Sequence, residues 1–221
     1  MGMIKLCIFD MDGLLIDSAK GMWLVNEKRS IEELGYKFDY DLITFLMGSS
    51  MAEYKKTIVE FYGKDFPVDT YYDMVYRYNA IMINNNELKL MGGVISLLDF
   101  LKTNNIKMRV ATSTPLNIAT EMLTNLNIID YFERIVSGQD VKRGKPYPDV
   151  YNEAVKDYNK DEALIFEDGH NGARAAIASG IKLVLVPDIA KVTKQDKDEA
   201  FKVIEHLDLA INIIKELNNI K

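Results

Sequence analysis

Five short apolar runs limit the fold open to this chain. They lie at Lys5–Asp10, Lys107–Thr112, Arg134–Ser137, Ala163–Glu167 and Lys182–Pro187. Each run is continuous rather than alternating. That pattern suits strands buried on both faces, as in a parallel sheet covered by helices. Helical spacing fills most of the gaps. Val94, Leu97, Leu98 and Leu101 line one face of a helix over Gly93–Thr103. Thr114-Pro115 reads as an N-cap with proline at the first helical position, ahead of Ile118, Met122 and Leu126. A third helix follows Tyr147-Pro148. A fourth covers Ala173–Ser179 and stops at Gly180. Strands alternating with helices imply an α/β fold, a doubly wound parallel sheet of Rossmann-like form.

The stretch between the first two strands breaks this alternation. It reads as helical throughout, with Met22–Leu34 ending at Gly35, Met51–Tyr62 ending at Gly63, and Val68–Ile83. Residues 18–87 are therefore expected to form a small helical domain inserted into a core of residues 1–17 and 88–221. Asn84-Asn85-Asn86 reads as the polar hinge back.

Ligands of open α/β sheets bind beyond the carboxyl ends of the strands. The first strand delivers Asp10, Asp12 and Gly13 to that edge, and the second delivers Thr112, Ser113 and Thr114. The third is followed by Lys145-Pro146, and the fourth ends in Glu167 and Asp168. Four carboxylates at one edge would repel strongly, and a hard divalent cation with oxygen ligands relieves them. Magnesium fits best, because it keeps positions for water and a substrate phosphate. Lys145 and the Thr112 hydroxyl would then face the remaining phosphate oxygens. Backbone N–H groups at Ser113–Leu116 open a helix and add an anion site. A carboxylate can serve as the in-line nucleophile of phosphoryl transfer. Each motif alone has an ordinary explanation as a turn, a cap or a surface loop. Their convergence on one sheet edge favours chemistry.

The motifs Phe9-Asp10-Met11-Asp12-Gly13-Leu14-Leu15-Ile16-Asp17-Ser18, Val110-Ala111-Thr112-Ser113-Thr114, Gly144-Lys145-Pro146-Tyr147-Pro148-Asp149 and Phe166-Glu167-Asp168-Gly169-His170-Asn171-Gly172 resemble those of the haloacid dehalogenase superfamily. The resemblance is to its phosphatase branch, near the β-phosphoglucomutase-like group. It implies that Asp10 is a nucleophile forming an aspartyl-phosphate, and that Asp12 protonates the leaving group and then activates water. Thr112, Ser113 and Lys145 would hold the phosphate. Asp10, Asp12 (through its backbone carbonyl), Glu167 and Asp168 would form the magnesium site. The insert would be a mobile cap. Gly48 falls in a cap loop that helps set specificity, and Met22 and Trp23 are the cap residues nearest the site in sequence.

The departures from the family pattern also inform. The mutases carry histidine where Met22 stands and arginine where Met51 stands, so hydrolysis of a sugar phosphate or nucleoside monophosphate is expected over phosphosugar mutase chemistry. Asp12 speaks against dehalogenase and phosphonatase activity, and Gly169 replaces a common Ser or Thr. A phosphoacceptor receiver module, or a regulatory protein that only binds its ligand, is the non-enzyme alternative. Receivers span about 120 residues, one compact domain, and lack a helical insert. His170 reads as a turn residue with a solvent-facing ring, His206 as structural on the C-terminal helix, and Tyr71, Tyr72, Tyr76 and Tyr78 mainly as helix packing.

A net charge of −6 with no basic stripe argues against nucleic acid as a partner. No apolar run approaches the roughly 20 residues that cross a bilayer, so no membrane association is expected. The single cysteine, Cys7, sits in an apolar run and rules out an internal disulfide. Met1-Gly2-Met3-Ile4-Lys5 leads directly into a strand without signal-peptide features. A cytoplasmic protein is expected. A monomer would suffice, since the insert can close the site within one chain.

Overall fold

The computed structural model describes residues 2–46, 51–189 and 191–220, and only the backbone of residues 51–53. Gly48 lies outside the described residues. The chain opens with β1 (Leu6–Phe9) and then a π-helical segment, Ala19–Leu24. Four helices follow: α1 (Val25–Glu33), α2 (Tyr40–Leu46), α3 (Met51–Tyr62) and α4 (Val68–Asn84). The chain continues through α5 (Val94–Thr103), β2 (Lys107–Thr112), α6 (Leu116–Asn125), β3 (Arg134–Ser137), α7 (Asp149–Ala154) and β4 (Ala163–Glu167). It ends with α8 (His170–Ser179), β5 (Lys182–Leu185), α9 (Lys194–Glu199), β6 (Lys202–Val203) and α10 (Ala210–Asn218).

Six parallel strands form one sheet in the order β3-β2-β1-β4-β5-β6. The order reverses direction between β1 and β4, and that switch point opens a crevice at the carboxyl edge. Phe9 is in register with Phe166 on one side and Val110 on the other. Asp10 therefore emerges level with Glu167.

Side chains alternate across a strand, and β1 shows both faces covered. Cys7 and Phe9 join one core cluster with α5, α6 and α10, while Leu6 and Ile8 join a second with α7 and α8. All four are fully buried. Phe9 stacks on Phe166 with ring centroids 4.9 Å apart. Burial of this kind contributes roughly 1.5–3 kcal/mol per large side chain.

The segment from α1 to α4 has its own apolar cluster, which includes Ile31, Ile43, Ile58, Phe66 and Tyr71. Its two ends lie side by side. Ile16 pairs with Leu90 in an antiparallel bridge, and Asp17 N–H donates to the Lys89 carbonyl at 2.9 Å. Tyr71, Tyr72 and Tyr78 are buried, as packing residues should be, while Tyr76 is exposed and meets Trp23 edge-on at 5.7 Å.

Four expectations need correction. The last apolar run stops being strand at Leu185, short of Pro187, which has no N–H to donate. Pro115 occupies the N-cap position of α6, not its first turn, and Thr114 does not cap the helix. His206 lies in extended backbone ahead of a 3-10 turn, Leu207–Leu209, and not on α10. The helix expected over Met22–Leu34 is a π-helical segment from Ala19 leading into α1; Asp17 Oδ1 accepts from Gly21 N–H at 3.1 Å at its start.

Candidate functional site

Asp10 follows β1 directly, and Glu167 and Asp168 close β4. These three residues meet at the switch point. Each offers a carboxylate oxygen within 4.8 Å of the others, and all three are buried. The Lys145 ammonium lies between two of them, donating to Asp10 Oδ1 and Glu167 Oε1 at 2.6 Å each. Its side chain is only 7% exposed, so little water screens these contacts. Glu167 is held from three further sides. Tyr151 O–H donates to its Oε1 at 2.6 Å, and the backbone N–H groups of Asp168 and Gly169 donate to Oε2 at 3.0 and 3.3 Å.

Two glycines make room for this packing. Gly13 has φ +82°, a conformation L side chains rarely adopt, and a Cβ there would collide with the Asp168 carboxylate. A Cβ on Gly172, in the first turn of α8, would overlap the Glu167 carboxylate.

The electrostatics follow from this crowding. Burial, reinforced by Glu167 and Asp12, pushes the Asp10 carboxyl up to about 7 against the pull of Lys145. Burial together with Glu167 and Asp10 raises Asp168 well above the usual carboxylate range. Burial alone would lower Lys145, but the Asp10 and Glu167 carboxylates outweigh it and hold the ammonium above its ordinary value. Three buried acids thus share one cation. Their donors are all hard carboxylate oxygens, and the uncompensated charge is what a divalent ion such as magnesium neutralises. The residues fit that group.

Asp12 stands apart from the three. Its Oδ2 accepts from Thr114 Oγ1 at 2.7 Å and from Thr112 Oγ1 at 3.4 Å, while Thr114 N–H donates to Thr112 Oγ1 at 3.0 Å. Its carboxylate is therefore held toward the hydroxyl cluster. Of the residues expected at the site, Asp10, Lys145, Glu167 and Asp168 come together, and Asp12 joins Thr112 beside them. Ser113 is exposed on the same turn. Met22 is 2% exposed within the main core cluster, and Trp23 packs against both that cluster and the cluster of the insert.

Sequence reasoning missed one member of the site, Tyr151, which it did not single out; Thr114 was expected at this edge, but not as the hydroxyl that holds Asp12. His170 also needs correction: its ring does not simply face solvent, because Nδ1 lies 2.6 Å from Asp196 Oδ2.

A parallel α/β sheet with buried acids and a lysine at its switch point is an arrangement suited to phosphoryl chemistry. The chain belongs to the haloacid dehalogenase-like hydrolase family, whose model matches residues 7–186. It is 31% identical over 179 residues to a phosphorylated carbohydrates phosphatase of Thermotoga maritima, covering 80% of this chain and 82% of that one. It is 30% identical over 186 residues to a β-phosphoglucomutase of Bacillus subtilis, covering 80% and 81%. The solved structure of CbbY from Rhodobacter sphaeroides in complex with phosphate shares the fold, with TM-score 0.74 and 22% identity over 93% of this chain and 96% of that one. Among the described residues no helix is long and apolar enough to cross a membrane.

Proposed function

We propose that this protein is a magnesium-dependent phosphatase that hydrolyses a small phosphorylated metabolite, a sugar phosphate or nucleoside monophosphate, through an aspartyl-phosphate on Asp10. The observation that carries this reading is the Asp10 carboxylate in its buried setting, 2.6 Å from Lys145 and grouped with Glu167 and Asp168. The phosphatase named among the relatives above supports the same reading.

Asp10 Oδ attacks phosphorus, and the bond from phosphorus to the leaving oxygen breaks. Asp12 gives its proton to that oxygen. Water then attacks phosphorus, Asp12 takes the water proton, and the bond to Asp10 breaks with release of inorganic phosphate. The Thr112 and Thr114 hydroxyls hold Asp12 in place for both transfers. Lys145 steadies Asp10 and neutralises a phosphate oxygen, and the Thr112–Ser113 turn supplies further donors. Asp10, Glu167, Asp168 and the Asp12 backbone carbonyl would hold magnesium, which when bound supplies charge neutralisation for the transferring group.

Residues 18–87 act as a cap that excludes water from the reaction. The antiparallel bridge between Ile16 and Leu90 marks its hinge. Two contacts join it to the loop after β5: an ion pair between Lys20 and Asp188, and the Lys191 ammonium 5.0 Å above the Phe45 ring. Trp23, packed against both the main core and the insert, shapes the space for the leaving group.

The mutase named among the relatives makes phosphosugar isomerisation the second reading. Met22 weighs against it, because a buried thioether offers nothing to hold a second phosphate. A panel of phosphorylated metabolites, assayed with magnesium and with chelator, tests the proposal. Magnesium-dependent release of inorganic phosphate is expected. Isomerised hexose phosphate without free phosphate, in the presence of a bisphosphate primer, would favour the mutase.

A further inference from the structure

Helix α9 is polar along its whole length: Lys194, Gln195, Asp196, Lys197, Asp198, Glu199. A surface helix usually buries an apolar stripe. The buried side chain of α9 is instead an acid, Asp196, at 0% exposure. Burying a carboxylate is unfavourable unless it is fully hydrogen-bonded, and Asp196 is well supplied. Its Oδ2 accepts from Thr193 N–H at 2.8 Å, from Thr193 Oγ1 at 2.8 Å and from the His170 ring at 2.6 Å. Its Oδ1 faces Arg174 at 3.4 Å. A carboxylate can only accept, so the hydrogen sits on His170 Nδ1.

Two of those donors, His170 and Arg174, lie on α8, and His170 is its first residue. The start of α8 is also a wall of the acid cluster. The Asp168 and Gly169 N–H groups bond Glu167, and Gly172 lies against the Glu167 carboxylate. A buried acid on one helix thus grips the turn from which the cluster's carboxylates are presented.

We propose that Asp196, acting through His170, is a positioning residue for the divalent-cation site; this rests on the reading that Asp10, Glu167 and Asp168 hold such an ion. Asp196 does not touch the ion. It fixes the His170 ring, and the ring fixes the turn that carries Asp168. Groups that orient metal ligands govern affinity in this way; here the link runs through the backbone from His170, first residue of α8, back to Asp168.

The test is calorimetric titration of the full chain with magnesium alone, with melting measured in parallel. His170→Ala and Asp196→Asn should raise the magnesium dissociation constant by about tenfold, the low end for such supporting groups. His170→Asn keeps an N–H donor near the Nδ1 position and should stay within about twofold of the native protein. Arg174→Ala loosens α8 from α9 without releasing the turn, so it should lower the melting temperature and leave magnesium affinity unchanged. Native affinity in both His170→Ala and Asp196→Asn, whatever their melting temperatures, would overturn the proposal. A native chain with no magnesium affinity would bring down the metal reading itself, and this proposal with it.

Discussion

Replacing Lys145 with methionine isolates the charge balance of the site. The ammonium contacts Asp10 and Glu167 at 2.6 Å each, and these side chains are 7%, 10% and 3% exposed. Methionine keeps most of the volume and removes the charge. The acids are then buried with no cation among them, and breaking a buried pair on one side costs roughly 3–5 kcal/mol. For a chain of this size that corresponds to a fall in melting temperature of roughly 10 °C. The loss should depend on pH in a definite direction. Without Lys145 the carboxyl of Asp10, already raised to about 7 by burial and its acidic neighbours, moves higher still. At pH 5 it is protonated and the variant loses little, while at pH 8 the full penalty applies. Magnesium should restore part of the loss, up to about 2.7 kcal/mol at a hundred times its dissociation constant. Urea denaturation at pH 5 and pH 8, with chelator and with magnesium, measures all of this. Equal stability of variant and native protein at pH 8 in chelator would refute the reasoning.

In the native protein without metal, Asp10 binds its proton more tightly when folded than when unfolded. Stability is then present at low pH and is lost as pH rises from about 4 to about 7, by up to roughly 4 kcal/mol at 1.36 kcal/mol per unit. Magnesium should flatten the decline, because it binds the deprotonated acids. Urea midpoints across that range check the sign, and a chelated protein that gains stability with pH would contradict it. Thr114→Val removes the closest hydroxyl on Asp12 and should lower kcat by roughly tenfold with KM little changed, a part of the roughly 10²–10⁴-fold that general acid–base catalysis contributes, since Asp12 itself remains. Steady-state kinetics on the best substrate decide this, and an unchanged kcat would remove Thr114 from the mechanism. Tyr151→Phe leaves Glu167 short of one buried donor, which should cost about 1–3 kcal/mol of stability by thermal denaturation.

The central strands were legible because burial on both faces leaves an unbroken apolar run. Lys107–Thr112 and Ala163–Glu167 match their strands residue for residue. The edge at β6 was not, since that strand is two exposed residues, Lys202 and Val203, with no apolar signature. The site was legible where one residue's type sufficed, as for the acids and Lys145 at strand ends. It was illegible where a role depends on a distant partner. Thr114 reads as a helix cap, yet its hydroxyl goes to Asp12, 102 residues earlier. Asp196 stands among charged neighbours, Lys194 to Glu199, with no apolar signal to mark it, and only the packing of α9 on α8 shows that it is buried. Tyr151 follows the apolar spacing of α7, and nothing in that spacing reveals the carboxylate its hydroxyl meets.

The proposed hydrolysis depends on phosphoryl transfer to Asp10. The direct measurement is rapid acid quench of the magnesium-loaded enzyme with its best substrate, followed by peptide mass spectrometry. A phosphoryl adduct on Asp10 that disappears on chase, and is absent together with turnover in Asp10→Asn, is the predicted result. Turnover that persists in Asp10→Asn, or an adduct on another residue, would contradict it.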